Sequence, residues 1–331
     1  MLESLHPYVP LQIADLLCFL VSGQDLTVFI AWAQCLFSAA TVLVATVVKR
    51  FLIPNTPWLG IPLVTFIHQD TLAMTFTFIG VIVMNNLLLK HIGVAFYQVA
   101  RSSTLIFTVI FSRVFLQVQV SPQVVVSCLL IIVGFVVSVD QEMLISSLSW
   151  LSIFYGVLAS LSAALSGIFT KRVDRLVKGN SLEISLTNNI NSIILLFPLV
   201  VSTGQLQFTI NSDYIIDQAM WFRLAVTGML SLFVGWASIK VITLTSPVTH
   251  NMSINAKSVL QTFIAVMVQG ETKTMAWWVG NVLVVLGLIN YSLSRSQHSG
   301  VQEMEVVIAT SSIANQTSAK RISSRKEIFS L

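Results

Sequence analysis

The stretch from Leu26 to Val48 reads LTVFIAWAQCLFSAATVLVATVV and is followed at once by Lys49 and Arg50. It holds no charged residue, and about 20 apolar residues suffice for a helix to cross the hydrocarbon core of a bilayer. Uncharged stretches of comparable length recur at 71–89, 114–139, 143–170, 184–212 and 274–294. Three further apolar spans each carry one charge, at Arg101, Arg223 and Lys257. The chain therefore reads as an all-α polytopic membrane bundle with nine crossing helices. Residues 9–22 are apolar apart from Asp15 but shorter than an ordinary span, and they fit a short, tilted or incomplete first helix. With that helix the bundle has ten members and both termini in the cytosol. Without it there are nine, and the N-terminus is lumenal.

Composition supports the same class. Hydrophobic residues make up 55% of the 331 and charged residues 10%, against roughly 25% charged in soluble domains. The spans use up nearly the whole chain, so the expectation is one transmembrane domain over 1–294 and no soluble catalytic domain beside it. The polar stretch 295–331 is expected to be a disordered cytosolic tail. Cys18, Cys35 and Cys128 all fall in apolar runs, where a small buried hydrophobe is the better reading than a disulfide partner. No Lys or Arg precedes Lys49, so the start of the chain lacks the basic region of a secretory signal peptide. Zinc-ligand spacings, a phosphate-binding glycine loop, a nucleophile elbow and paired intramembrane aspartates are all missing from the sequence. An enzyme is not indicated, nor is a cofactor.

Charge sets the orientation, because Lys and Arg collect on the cytosolic side of membrane proteins. With Arg295, Lys320, Arg321, Arg325 and Lys326 placed in the cytosol, alternation puts Lys49, Arg50, Arg113, Lys171, Arg172, Arg175, Lys178 and Lys240 on the same side. The opposite side receives only Lys90, Arg223 and Lys273, a bias of thirteen to three. Topology thus accounts for the net charge of +4, and no nucleic-acid partner is called for.

Ala100-Arg101-Ser102 and Ala256-Lys257-Ser258 lie 156 residues apart, on the fourth and ninth of ten helices. Five helices separate them. An odd number inverts the second half, so repeats of about 1–140 and 141–294 would be inverted relative to each other, an architecture that binds substrate near the midplane between repeats. Arg101 and Lys257 sit at that depth. An intramembrane charge usually faces a cavity or a partner, and no Asp or Glu lies deep in a core helix to neutralise them. An anionic ligand is expected, with Arg101 offering a bidentate fork to phosphate and Lys257 a point charge. Pairing with backbone carbonyls is the plainer alternative.

Around Lys257 stand Thr249, His250, Asn251, Ser253 and Asn255, more polar groups than one helix face can hide. Pro247 begins the segment, and a helix N-terminus there could aim free N–H groups at an anion. His250 reads either as a proton relay or as a hydrogen-bonding wall residue. Asn188, Asn189 and Asn191 lie between apolar flanks; an amide suits a nucleobase edge, and equally an interhelical hydrogen bond. Tyr97 and Gln98 precede Arg101 by one turn and could add a stacking ring and an amide, or simply pack.

Several motifs occur in order: Asn85-Asn86-Leu87, Gly93-Val94-Ala95-Phe96-Tyr97-Gln98-Val99-Ala100-Arg101-Ser102, Val139-Asp140-Gln141-Glu142, Leu148-Ser149-Trp150-Leu151, Thr170-Lys171-Arg172-Val173, Thr245-Ser246-Pro247-Val248-Thr249-His250-Asn251 and Glu271-Thr272-Lys273. From about Leu26 to Ser294 the chain resembles the GDP-fucose carriers of the nucleotide-sugar transporter family, within the drug/metabolite transporter superfamily. The resemblance implies ten helices in two inverted five-helix repeats and exchange of GDP-fucose for GMP across a multi-pass Golgi membrane, with the endoplasmic reticulum as the alternative address. It leaves a homodimer open, and membrane lipid is the expected surround. In related GDP-sugar carriers a Phe-Tyr-Asn-Asn motif holds guanine, and a Gly-Ala-Leu-Asn-Lys motif holds sugar and phosphate. Here the first reads Leu186-Thr187-Asn188-Asn189, without the aromatic, and the second Ser253-Ile254-Asn255-Ala256-Lys257, with only the lysine in place. Two other readings stand beside this one: a form truncated at the first helix that regulates without transporting, and a carrier for another anionic sugar nucleotide or sugar phosphate.

Overall fold

The computed structural model describes residues 26–52, 63–91, 94–118, 121–138, 150–177, 179–211, 218–269 and 274–294. The expected first helix at 9–22 and the tail from 295 lie outside the described residues. Within them every regular element is an α-helix. In chain order these are α1 (Thr27–Leu52), α2 (Leu63–Ile67), α3 (Gln69–His91), α4 (Val94–Phe115), α5 (Pro122–Ser138), α6 (Trp150–Leu176), α7 (Ser181–Ser202), α8 (Gln205–Asn211), α9 (Gln218–Leu244), α10 (Pro247–Gln269) and α11 (Met275–Ser294).

Five of them, α1, α6, α7, α9 and α11, are long and apolar enough to cross a membrane. The helices α3, α4 and α10 are of similar length, 23, 22 and 23 residues, but richer in polar side chains. Leu43, Val44, Val47, Phe233 and Leu286 are exposed on the outside. Such a surface belongs in lipid, where backbone groups must be satisfied within each helix. Hydroxyls follow the same rule by bonding back along their own helix, as Thr46 does to the Val42 carbonyl at 2.8 Å and Thr170 to Ser166 at 2.7 Å. The protein is a polytopic helical membrane protein.

Two uncharged runs are broken where local chemistry breaks them. The run 114–139 is divided because α4 stops at Phe115 and Pro122 starts α5; proline has no N–H to lose at a first helical position. The run 184–212 is divided at Gly204, whose φ of +71° no ordinary residue adopts without strain. Between α6 and α7, Gly179 turns the chain at φ +84° and Asn180 caps α7 by accepting from the Leu182 N–H at 3.3 Å.

Ring and side-chain contacts place one set of ends together. Phe115 of α4 meets Phe169 of α6 with centroids 6.1 Å apart, and Arg172 Nη2 lies 3.0 Å from Asp70 Oδ1 in the first turn of α3. Lys171 Nζ donates to the Thr243 carbonyl at the end of α9. Arg113, Lys171, Arg172, Arg175 and Lys240 therefore gather at this basic end. At the far end α1 begins, α7 finishes and Gln205 of α8 accepts from the Phe29 N–H at 2.8 Å.

The helix α1 packs on α7 and α9, α3 and α4 pack on α6, and α10 packs on α4. Closest of all are α5 and α11. A methyl built on Gly134 would stand 2.7 Å from the Gly280 carbonyl oxygen, and one on Gly287 would stand 2.9 Å from that of Ser127. Small residues let backbones approach where lipid supplies no hydrophobic drive. Asn290 then ties the pair by donating to Ser127 Oγ at 2.8 Å.

Candidate substrate site

The two intramembrane cations lie on helices that run in opposite directions, since α4 ends at the basic end and α10 begins there. Asn251 Nδ2 donates to Thr108 Oγ1 at 2.8 Å and fixes their register. Stepping seven residues towards the far end along each helix brings 258 opposite 101, so Lys257 and Arg101 share one depth, about 15 Å from the start of α10 at 1.5 Å per residue. Both side chains are exposed in mid-helix. A charge facing lipid there is strongly disfavoured, so the exposure reads as a cavity wall. His250 is half-buried and lies within electrostatic reach of Arg101.

Other expected site residues divide by what already occupies them. Thr249 Oγ1 pairs with Ser246 Oγ at 2.9 Å and with Tyr291 Oη of α11 at 2.7 Å. Asn255 is buried and donates to the Asn251 carbonyl at 2.8 Å. Ser253 is exposed on the Lys257 face, its hydroxyl bonded to the Thr249 carbonyl at 3.0 Å. Thr249 thus braces α10 against α11, as Asn251 does against α4, while Ser253 and Asn255 bond within α10. The start of α10 is also not the open anion site envisaged from Pro247. Ser246 Oγ accepts from the Thr249 N–H at 3.2 Å and the Ser246 carbonyl takes the His250 N–H at 3.0 Å, so these donors of the first turn are already satisfied within the protein. The side chains of Tyr97 and Gln98 lie outside the described residues.

On α7 the three asparagines have distinct surroundings. Asn191 is buried and donates to the Phe66 carbonyl of α2 at 3.0 Å. Asn189 donates to the Ser185 carbonyl of its own helix at 2.9 Å. Among the described residues Asn188 Oδ1 is buried with no hydrogen-bond partner, as are Thr187 Oγ1 and Ser192 Oγ. A buried amide oxygen without a partner is costly and asks for a donor, whereas the Thr187 and Ser192 hydroxyls, in fully buried residues, can donate as well as accept. Leu186, where related carriers place the aromatic, is buried against Ala39 and Val42 instead.

Thr108 and Tyr291 were invisible in the sequence as partners, since hydroxyls at those positions look like any others. Asp70 stands in the first turn of α3 and holds Arg172, a pairing between residues about a hundred positions apart that no spacing in the sequence announces.

Comparisons with known proteins agree with this picture. The model of the Triose-phosphate Transporter family matches residues 26–292. GDP-fucose transporter 1 of Monosiga brevicollis is 34% identical over 269 residues, covering 81% of each chain. The GDP-fucose transporter of Caenorhabditis elegans is 35% identical over 264 residues, covering 80% of this chain and 72% of its own. GDP-fucose transporter 1 of Nematostella vectensis is 32% identical over 304 residues, covering 88% and 87%. A solved crystal structure of only 13% sequence identity superposes with a TM-score of 0.61 over 87% of this chain and 95% of its own, a likeness of fold alone. Matched along nearly its whole helical length, the chain belongs to the Triose-phosphate Transporter family, a family of membrane transporters and not of enzymes.

Proposed function

We propose that the chain is an antiporter that imports GDP-fucose into the Golgi lumen in exchange for GMP and so supplies fucosylation. The observation that carries this reading is the pair of exposed cations, Arg101 and Lys257, held at one depth across α4 and α10 by the Asn251–Thr108 bond. Such a pair fits the phosphates shared by both ligands. The substrate named for the similar relatives supports the choice of nucleotide sugar. The buried oxygen of the half-buried Asn188 adds a second feature, because a guanine edge presents N–H donors and both ligands carry that base.

Two inverted five-helix repeats account for the packing. Counting 9–22 as the first helix of the first half and α6 as the first of the second, the second helix of one half meets the second of the other, α1 on α7. The fourth meets the fourth, α4 on α10, and the fifth the fifth, α5 on α11. The contact of α1 with α9 has its mate in that of α3 with α7. Self-pairing of equivalent helices is what a two-fold pseudo-axis in the membrane plane requires. Substrate then binds on that axis.

Lys257→Met tests the reading. It should lower affinity for GMP and GDP-fucose by one or more tenfold steps, about 1.4 kcal/mol each, and leave guanosine, which has no phosphate, unchanged. Thermal shift of the purified variant with all three ligands measures this. An equal loss for guanosine would mean that Lys257 supports the fold and not the phosphates.

A further inference from the structure

At the basic end, α9 finishes at Leu244 and its Thr243 is held from two neighbouring helices, at the carbonyl by one and at the hydroxyl by the other. Lys171 of α6 donates to the Thr243 carbonyl, and Ser181 Oγ of α7 lies 3.3 Å from Thr243 Oγ1. Beneath this polar layer Met74, Val173 and Ile184 are buried against one another, with Ile239 of α9 packed on them. Arg172 holds Asp70 at 3.0 Å and so fastens α6 to α3 behind the contact. The basic end is thus shut by an apolar layer under a charged one. Nearer the cations, the buried Thr108 and its bond from Asn251 shut α4 against α10 from the same side. Arg101 and Lys257 are nonetheless exposed in mid-helix beyond that contact.

We infer that the clasp of Lys171 and Ser181 on Thr243 is the gate on the basic end, made when the site faces the far side and broken when it faces the basic side. The inference rests on the carrier reading above, since a carrier must open its site at each end in turn. The chemistry suits a contact that is made and broken. A lysine on a terminal helix carbonyl replaces one water-accessible partner by another, and it sits at the membrane boundary where water can take its place. The apolar layer is small, one side chain each from α3, α7 and α9 (Met74, Ile184 and Ile239) against Phe169, Val173 and Val177 at the end of α6. By contrast Arg172 and Asp70 join α3 to α6, the most extensively packed pair, and move together. Weakening the clasp raises the population open to the basic end.

The test uses Ser253→Cys, exposed beside Lys257, in sealed Golgi microsomes, whose outer face is cytosolic. A membrane-impermeant maleimide is added outside, and the parent chain without a cysteine at 253 sets the background. With the native clasp, labelling at 253 should be slow. Lys171→Met should speed it by about tenfold, the change in open population that loss of one such contact produces, and Lys171→Arg, which still donates to a carbonyl, should restore it. Ser181→Cys with Thr243→Cys, whose oxygens already lie 3.3 Å apart, should close a disulfide on oxidation, abolish labelling from outside and stop GMP exchange until reduced. Labelling equally fast with and without Lys171, or exchange that continues through the oxidised pair, overturns the gate. Fast labelling in the native clasp does so too. If the reduced protein exchanges no GMP while labelling still follows the clasp, the substrate assignment fails and the gate stands.

Discussion

Arg101 and Lys257 stand out on reading alone because a charge in an uncharged run has few structural uses, and the fold leaves both exposed in mid-helix. Their neighbours could not, since Thr249, Asn251 and Asn255 are polar enough to bind a ligand and also to brace a helix. In the fold each has a protein partner, among them Tyr291 at 2.7 Å from Thr249 and Thr108 at 2.8 Å from Asn251. Those partners come from helices distant in sequence, which no spacing rule predicts. The asparagines of α7 separate in the same way. Asn189 and Asn191 bond to backbone carbonyls, whereas the Asn188 oxygen has no donor among the described residues. Asn188→Ala should therefore weaken GMP and GDP-fucose alike, each by about 1–3 kcal/mol for a hydrogen bond made to a buried group, without changing the preference among sugars. Titrations with GDP-fucose, GDP-mannose and GMP check it. A variant that loses one sugar nucleotide but keeps GMP would contradict the assignment to the base.

Among the elements, hydropathy located helices well and their ends poorly. The uncharged run 114–139 looked like one helix, but a proline at 122 and a turn before it make the boundary between α4 and α5. A run of apolar residues states that lipid surrounds the segment and does not state where the chain turns. Glycine contacts were equally hidden. Gly134, Gly235, Gly280 and Gly287 look alike in sequence, yet a methyl at Gly134 meets the Gly280 carbonyl at 2.7 Å while one at Gly235 meets nothing within 4 Å. Gly134→Leu should destabilise the detergent-solubilised protein by about 1–3 kcal/mol, the usual penalty of overpacking, and Gly235→Leu should leave its melting temperature unchanged. Equal effects would mean that α5 and α11 are not in backbone contact.

For the whole molecule, the thirteen-to-three bias of basic residues gave an orientation, and the fold gathers Arg113, Lys171, Arg172, Arg175 and Lys240 at one end. If that end is cytosolic, a tag at Leu331 should be cleaved by protease added outside sealed microsomes, and a tag near Asp213 should be protected. The reverse pattern would turn the bundle over. Inverted repeats are suggested by three residues at an offset of 156, and the proposal of such repeats adds to them the packing of α1 on α7 and of α4 on α10. What the pattern of residues could not reach is which anion enters, because a basic cavity admits many. The most direct measurement is uptake by liposomes holding the purified chain, preloaded with GMP and offered GDP-fucose, GDP-mannose, a UDP-sugar and a triose phosphate in turn. The account predicts that GDP-fucose accumulates fastest, that accumulation requires internal GMP, and that Lys257→Met abolishes it. Uptake of GDP-fucose no faster than in empty liposomes, or equal uptake of the UDP-sugar or the triose phosphate, would contradict it.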